Sequence, residues 1–300
     1  EVGLSEEFEK VTNHAFEVYA QGINLLKEYF RLKFPEEKFT IPVKRGNETK
    51  SACFDELLSD VERREWKNGY RFVVRCAALD VGRCVLPAST LTHMGLSGNG
   101  RYYTHLISAL KSSGLEEAQE RGFKLENALK TEIPTFIKRN VRREGIAERD
   151  DAMQWIAEDI LKGITPQVNR VTLVSAGTWE ENVIAAAIFP YTAHSLQQIL
   201  DVVQKISPEA KGKVLEMYVG KRTSRRNRTD RALEAGYPIT FDLVGCFAEY
   251  RDLQRHRMLT QQRQLLGIEH GFILPPEMGE VGLEQEVNNV VREMEEIHTS

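Results

Sequence analysis

Two stretches near opposite ends of the chain repeat one another, and this echo constrains the possible architecture more than any other feature. Residues 1–4 and residues 280–283 both read Glu-Val-Gly-Leu, and Val11 and Val290 then occupy the same position in each copy. Acidic residues followed by apolar residues at helical spacing predict that each copy starts a helix. A true duplication predicts that the chain runs from the middle of one repeat to the middle of the next. Two unrelated acidic helix starts would give the same pattern.

Composition excludes several classes of protein. The 300 residues suffice for one large domain or two ordinary ones, and the 41% hydrophobic fraction allows a substantial core. A net charge of −4 argues against a protein that coats nucleic acid. No apolar run approaches the length of a membrane span, and the N-terminus has no basic-then-apolar signal, so we expect a soluble cytoplasmic protein with no membrane partner.

The cysteine and histidine residues give no metal site. Four cysteines are present, and none forms a Cys-x-x-Cys pair, which favours free buried thiols in a reducing compartment over disulfides. His93 and His105 are isolated, without further ligands at metal spacing. We therefore predict that no metal is bound.

Helical periodicity dominates the first half of the chain, and short strands enter in the second half, so the fold class is predicted to be α+β and helix-rich. A polar loop is expected after the first helix, and residues 163–166 (Gly-Ile-Thr-Pro) are expected to link two domains, 1–162 and 163–300. The predicted helices are 4–34, 54–65, 69–85, 99–111, 115–133, 134–142, 150–161, 179–189, 195–206, 208–219 and 247–253, and the predicted strands are 170–175 and 238–244.

The most distinctive motif is the triplet Arg255-His256-Arg257, which follows the last of these helices. At roughly 100° per residue the three side chains spread over most of the circumference of a helix, so at least one turns toward neighbouring structure. Planar guanidinium groups bind phosphates through paired hydrogen bonds, which favours an anionic ligand. Basic residues that complement a helix C-terminal dipole would explain the same triplet.

The triplet and the residues after it resemble the signature of the flavin-dependent thymidylate synthases. That signature reads Arg-His-Arg, two residues, Ser, one residue, Asn, two residues, Ser, one residue, Arg-Tyr. Here the triplet matches fully, and Thr260 and Gln262 are chemically related to the first Ser and to Asn. Leu265, Gly267 and Ile268 depart from the final Ser, Arg and Tyr.

A second region resembles the same family. Residues 86–92 (Leu-Pro-Ala-Ser-Thr-Leu-Thr) and then Asn99-Gly100-Arg101 are similar to its Leu-Pro, Thr and Asn-x-Arg stretch. Residues 1–140 thus resemble the C-terminal half of the family domain, and residues 170–300 resemble its N-terminal half. This order, with the C-terminal half before the N-terminal half, is the one that the echo predicts for a tandem-duplicated, divergent branch of the family. One helix after Arg101 the family carries another arginine, and the equivalent residues 126–130 (Glu-Asn-Ala-Leu-Lys) contain none.

The resemblance implies a fold, an activity and a site. The fold would be that of the thymidylate-synthase-complementing proteins, with helices packed on a small sheet. The activity would be methylation of dUMP to dTMP with methylenetetrahydrofolate, FAD and NADPH, in a homo-oligomer and without a cysteine nucleophile. By position, Arg255, His256, Arg257 and Gln262 would bind FAD, and Arg101 and Thr260 would bind dUMP.

Two alternatives stay open. Because Leu265 cannot hydrogen-bond a pyrimidine and Gly267 cannot hold a phosphate, the chain could be a catalytically degenerate scaffold that binds flavin or nucleotide. The basic run at 221–231, six cations in 11 residues, could instead form a nucleic-acid-binding module. The absence of interleaved aromatic residues and of a known nucleic-acid-binding signature disfavours the second alternative.

Overall fold

The computed structural model describes residues 2–138, 145–220, 229–237, 239–256 and 258–299. It divides the chain into two compact units. The terminal unit comprises Glu1–His93 together with Phe272–Ser300, and the central unit comprises Met94–Gly271. The predicted boundary after residue 162 falls inside the central unit rather than between the two units. The prediction that the halves belong to successive repeats is separate from this division and stays a prediction.

Both units are built mainly from helices, with one small antiparallel sheet in each, so the helix-rich α+β class is confirmed for the described residues. Short 3₁₀ turns join several of the elements. In chain order the elements are α1 (Val2–Lys33), β1 (Ile41–Arg45), β2 (Glu48–Ala52), α2 (Asp60–Gly82), α3 (Gly100–Lys111), α4 (Glu116–Leu129), α5 (Pro134–Ile137), α6 (Ile146–Ile160), β3 (Val171–Leu173), α7 (Trp179–Ile188), α8 (Leu196–Val203), α9 (Pro208–Val219), β4 (Phe241–Leu243), α10 (Phe247–Leu253), α11 (Pro276–Glu280) and α12 (Glu284–Thr299).

In the terminal unit, α1 packs against α2 and α12. Leu26 of α1, Trp66 of α2 and Val287 of α12 are buried in one hydrophobic cluster. Both copies of the sequence echo therefore contribute to this unit, but they do so differently. The described residues 2–4 of the first copy lie within the first turn of α1, whereas the second copy precedes α12.

The polar loop expected after α1 is wrong, because residues 41–52 form a β-hairpin. Strands β1 and β2 pair antiparallel from Ile41 opposite Ala52 to Arg45 opposite Glu48. Gly46 has φ +66°, the conformation that a two-residue hairpin turn requires at its first position. The buried side chain of Val43 anchors the hairpin to the core of the unit.

The prediction of two separate helices at 54–65 and 69–85 is also wrong. Residues Phe54–Glu56 form a 3₁₀ turn, and α2 then runs without a break from Asp60 to Gly82. The Ser59 hydroxyl accepts from the Glu62 backbone N–H at 3.2 Å and starts the helix. Gly69 does not end it, because a packed neighbour compensates for its low helix propensity: a Cβ at Gly69 would lie 3.5 Å from the Phe39 ring.

The core of the central unit surrounds α7. Its residues Val183 to Ile188 are buried on every face, and helices α6, α8 and α9 pack around them. The adjacent sheet pairs β3 with β4, and Val171 lies opposite Leu243. Asp242 of β4 is buried on the inner face of the sheet, whereas Phe241 and Leu243 are exposed on the outer face. Helix α9 has the predicted bounds, since Ser207 caps it and Pro208 occupies its first turn.

Helices α3, α4 and α5 form a second group within the central unit. Asn99 caps α3 by accepting from the Tyr102 backbone N–H at 3.0 Å. Lys111 of α3 and Glu126 of α4 form an ion pair at 2.8 Å in which both side chains are largely buried. The helix expected at 134–142 is observed as Pro134–Ile137, and residues 139–142 lie outside the described residues.

Among the described residues, no helix is both long enough and apolar enough to cross a membrane.

Candidate functional site

The described residues of the Arg-His-Arg motif are exposed at the end of α10. The helix begins after Cys246, whose backbone N–H donates to the Glu249 carboxylate at 3.0 Å. It ends at Leu253, and the Arg255 guanidinium then lies 3.4 Å from the Asp252 carboxylate, where both side chains remain largely exposed. His256 is exposed as well. Arg257, the third residue of the motif, lies outside the described residues.

The segment after the motif is held by hydrogen bonds to backbone carbonyl groups. We call residues 260–268 the glutamine segment. The Gln262 side-chain amide donates to the Ala186 carbonyl oxygen at the end of α7, and the Gln264 amide donates to the His194 carbonyl oxygen at 2.9 Å. The Leu265 backbone N–H donates to the Pro190 carbonyl oxygen at 3.3 Å. Three contacts therefore fix the path of the glutamine segment over the core of the central unit.

The surface beneath the glutamine segment is itself fixed by buried polar groups. His194 Nε2 lies 2.7 Å from the Ile164 carbonyl oxygen, and its Nδ1 lies 2.6 Å from the Thr192 hydroxyl. The Asp242 carboxylate accepts from the Leu196 backbone N–H at 2.8 Å, at the positive end of the α8 dipole. Burial raises the pKa of Asp242, although this hydrogen bond partly offsets the effect.

A rim of cations borders the glutamine segment. The Arg263 guanidinium lies 5.5 Å from the centre of the Tyr250 ring, which holds it against α10. Arg251 and Arg255 extend from the exposed side of the same region. Arg170 of the strand leading into β3 pairs with Glu249 at 3.1 Å, so this carboxylate is already matched. The rim therefore offers guanidinium groups to an anionic ligand such as a phosphate.

Thr260 and Gln262 differ in which of their polar side-chain atoms are free to bind a ligand. Thr260 is exposed, and its hydroxyl makes no hydrogen bond within the described part of the chain. Gln262 is half-buried, and its amide nitrogen is already bonded to Ala186. The Gln262 carbonyl oxygen and the second N–H of its amide are therefore the groups that could contact a flavin without breaking an anchor of the glutamine segment.

Arg101 lies on a different group of helices. It is the second residue of α3, directly after the Asn99 cap, and its side chain is exposed. In the described ranges it forms no ion pair or hydrogen bond, and none joins it to Arg255, His256 or the glutamine segment. The structure thus brings Arg255, His256, Thr260 and Gln262 into one stretch of chain, and it does not bring Arg101 into contact with them.

An ionic cluster around the largely buried guanidinium of Arg149 in the central unit was missed by sequence reasoning. Arg149 of α6 donates to Asp150 at 2.7 Å and to Asp230 at 2.5 Å, and the Tyr191 hydroxyl donates to Asp150 at 2.7 Å. Burial alone would lower the pKa of Arg149, but the bond to Asp150 and the charge of Asp230 outweigh it and raise the pKa above its usual value. For the Tyr218 hydroxyl, burial acts in the opposite direction and raises the pKa to about 12. No short sequence pattern predicts this cluster, because Arg149 and Asp230 are far apart in sequence.

All four cysteines lie within the described residues, and Cys246 is exposed. All four are free, and Cys53, Cys76 and Cys84 are half-buried rather than fully buried. Burial raises the pKa of Cys84 to about 11, so this thiol is protonated at neutral pH. Of the predicted basic run, residues 221–228 lie outside the described residues.

Comparison with known proteins finds relatives that are much longer than this chain. The UPF0159 protein of Chlamydia pneumoniae is 31% identical over 256 residues, covering 82% of this chain and 48% of the relative. The UPF0159 protein of Chlamydia muridarum is 32% identical over 230 residues, covering 73% of this chain and 43% of the relative. A UPF0159 protein of Thermoplasma acidophilum is 28% identical over 316 residues, covering 99% of this chain and 60% of the relative.

The chain therefore spans about half the length of the relatives that it matches. Their names state no activity, substrate or cofactor. No protein-family model matches the chain, and no solved structure matches it.

Proposed function

We propose that this chain belongs to a flavin-dependent thymidylate synthase-like protein that methylates dUMP to dTMP. The co-substrates would be methylenetetrahydrofolate and NADPH, and FAD would be the cofactor. The observation that carries the proposal is the exposed Arg255–His256 pair beside the anchored glutamine segment. This arrangement joins a largely exposed guanidinium and an exposed imidazole to a chain segment of fixed geometry, which binding of a phosphate-bearing cofactor requires.

The residues present fit a flavin dinucleotide better than they fit a pyrimidine. Arg255 and Arg251 can neutralise phosphate charge, and the free Thr260 hydroxyl can donate to a ring edge or a ribose oxygen. When bound, reduced flavin supplies the hydride that completes the transferred methyl group. The contribution of this chain would be to hold and orient the cofactor and substrates, because the family that it resembles uses no cysteine nucleophile.

The degenerate-scaffold alternative has a specific observation in its favour. Leu265 stands where the family signature has serine, and 76% of its side chain is exposed without any hydrogen-bonding capacity. Because Gln262 also uses its amide nitrogen on Ala186, two of the expected polar contacts to nucleotide or flavin are reduced or lost. Under this alternative the chain binds flavin, but dUMP is not turned over at this copy of the site.

The test is a comparison of flavin retention and turnover. Purified protein that shows the visible absorption bands of flavin and releases tritium from labelled dUMP would support the synthase. Bound flavin without tritium release would support the scaffold. Colourless protein that does not bind added FAD would rule out both. In a cytoplasmic homo-oligomer, which the family resemblance also implies, the same assays would be repeated at several protein concentrations.

Arg255→Ala is predicted to weaken FAD binding by about ten-fold or more, because a charge-assisted contact contributes about 1.5–3 kcal/mol. The matched control is Arg121→Ala, since Arg121 is also exposed and also pairs with a carboxylate one helical turn away, at 2.5 Å from Glu117. FAD titration of both variants measures the effect. Equal affinity in the Arg255 and Arg121 variants would contradict the role of Arg255.

A further inference from the structure

A cleft on the outer side of α2 in the terminal unit is lined mainly by cations. Its volume is about 800 Å³, and its lining includes Arg64, Lys67 and Arg71 of α2 and the ring of Phe54. Asp55 and Asp60 line its N-terminal end. Clefts of this volume accommodate ligands, and this one is polar and open rather than an enclosed apolar pocket.

The cations form a continuous line along the helix. Arg64, Lys67, Arg71 and Arg75 follow one another at intervals of three, four and four residues, and all four are exposed. Residues at these intervals share one face of an α-helix, and the line extends over roughly 16 Å at 1.5 Å per residue. We call these four residues the α2 cation row.

No carboxylate neutralises the α2 cation row. Within the described part of the chain, none of its four members forms an ion pair, and the Lys67 ammonium lies 5.6 Å from the centre of the Phe54 ring. Exposed arginines on other helices do have partners one turn away, such as Arg31 with Glu28 on α1 and Arg121 with Glu117 on α4. Like charges one turn apart destabilise a helix, so a row without counter-charges favours an external anion that relieves the repulsion.

The two carboxylates of the cleft restrict where an anion can lie. Asp60 is held by Arg63 at 3.7 Å, and Asp55 lies in the 3₁₀ turn before α2. Both therefore repel an anion at the N-terminal end of the row. The stretch from Lys67 to Arg75 is the part that suits a chain of phosphates.

An aromatic side chain accompanies the row on its exposed flank. Phe72 follows Arg71 directly, so it is turned by about 100° from the row, and 66% of its side chain is exposed. Grooves that bind single-stranded nucleic acid combine cations that follow the backbone with aromatic rings that stack on bases. We propose that the α2 cation row and Phe72 form a binding site for single-stranded nucleic acid, with phosphates along Lys67, Arg71 and Arg75 and a base stacked on Phe72.

The site does not depend on the proposed synthase activity. It lies in the terminal unit, whereas Arg255 and the glutamine segment lie in the central unit. The chain as a whole carries a net charge of −4, so general charge attraction does not explain the binding of a polyanion. Binding through this site has to be local, and neutralising a few cations should remove it.

The experiment is fluorescence anisotropy of the full 300-residue chain with labelled single-stranded oligothymidylate and oligouridylate of equal length. It compares wild type with the variant R64Q/K67Q/R71Q across a salt series. We expect the variant to bind at least ten-fold more weakly, and we expect the slope of log affinity against log salt to fall by about 1.4, since the variant removes the two proposed phosphate contacts at Lys67 and Arg71 and each single-strand contact contributes about 0.7. Phe72→Ala should weaken binding about five-fold or more while the salt slope stays unchanged.

Two controls make the result decisive. The variant K10Q/K44Q/K213Q removes the same charge from exposed positions on α1, β1 and α9 and should bind as wild type does. The variant K221Q/R222Q/R225Q neutralises part of the other basic run in the sequence and should also bind as wild type does. The proposal is overturned if wild type does not bind at low salt, if either control loses as much affinity as R64Q/K67Q/R71Q, or if duplex DNA of the same length binds more tightly than the single strand.

Circular dichroism of each variant checks folding, since all of the substituted residues of α2 are exposed and their replacement should leave the spectrum unchanged. DNA and RNA strands are expected to bind alike, because the site offers phosphate and base-stacking contacts and no identified contact to the ribose hydroxyl. FAD affinity should be unaffected in R64Q/K67Q/R71Q, so that failure of this proposal is distinguishable from failure of the proposed function.

Discussion

Two arginines of the central unit show how burial separates a structural cation from one that is available to a ligand. Arg149 has 13% of its side chain exposed and donates to two carboxylates, whereas Arg255 has 77% exposed and a single partner at 3.4 Å. The first guanidinium has few donors left, and the second has most of its five. The difference indicates that the supply of protein partners, rather than the presence of arginine, decides which positions can bind phosphate.

The largest expected effect comes from breaking the ionic cluster around Arg149. Arg149→Met should lower the free energy of unfolding by about 3 kcal/mol, because it removes the charge-assisted hydrogen bonds that the largely buried guanidinium donates to Asp150 and Asp230. Urea unfolding followed by circular dichroism measures this. Arg255→Met should change stability by less than about 0.5 kcal/mol, as expected for an exposed pair. Similar losses in the two variants would remove the distinction between the two arginines.

A smaller effect is expected at the buried carboxylate beside α8. Asp242→Ala removes the buried acceptor of the half-buried Leu196 backbone N–H, so the free energy of unfolding should fall by about 1–2 kcal/mol. The same urea experiment measures it. Asp201→Ala on α8, where the carboxylate is exposed and accepts from Gln197 at 2.8 Å, is the control and should cost much less. Stability equal to wild type in the Asp242 variant would show that water replaces the lost acceptor.

The smallest effect is expected at an ion pair in the terminal unit and depends on pH. The Arg45 hydrogen bond, followed by the backbone N–H of Leu58, lowers the pKa of Glu62 from 4.5 to about 2. A depressed carboxylate pKa stabilises the fold above the unfolded-state value, and this contribution is lost as the pH falls from about 4.5 toward 2. Thermal midpoints should therefore fall more steeply over this range in wild type than in Glu62→Gln. Parallel curves would contradict the role of this pair.

The elements that could be predicted are those whose sequence signal lies within the element itself. Helix α9 was predicted because Ser207 and Pro208 mark its start within two residues, and α10 was predicted from its own periodicity. The β1–β2 hairpin was missed because Pro42 interrupts a short alternation of Ile41 and Val43. The break expected before Gly69 did not occur, because a contact with Phe39, thirty residues earlier, supports the helix there.

In the candidate site, too, the local motif could be predicted and the long-range contacts could not. The Arg-His-Arg motif is legible in the sequence, and the exposure of Arg255 and His256 agrees with a binding role. The anchors of the glutamine segment were not foreseeable, since Gln262 bonds to Ala186 and Gln264 bonds to His194 across about 70 residues or more. Assignment of Gln262 to flavin could therefore not anticipate that its amide nitrogen is used within the protein.

The interleaved composition of the terminal unit has a consequence for biosynthesis. Helix α1 leaves the ribosome before the central unit, and its core partner α12 follows only after the whole central unit has been translated. The apolar face of α1 that carries Leu26 therefore stays uncovered by α12 while the central unit is translated, and the contiguous central unit can fold as soon as it emerges. Nascent chains stalled before Leu283 should accordingly be the species that chaperones engage and proteases degrade.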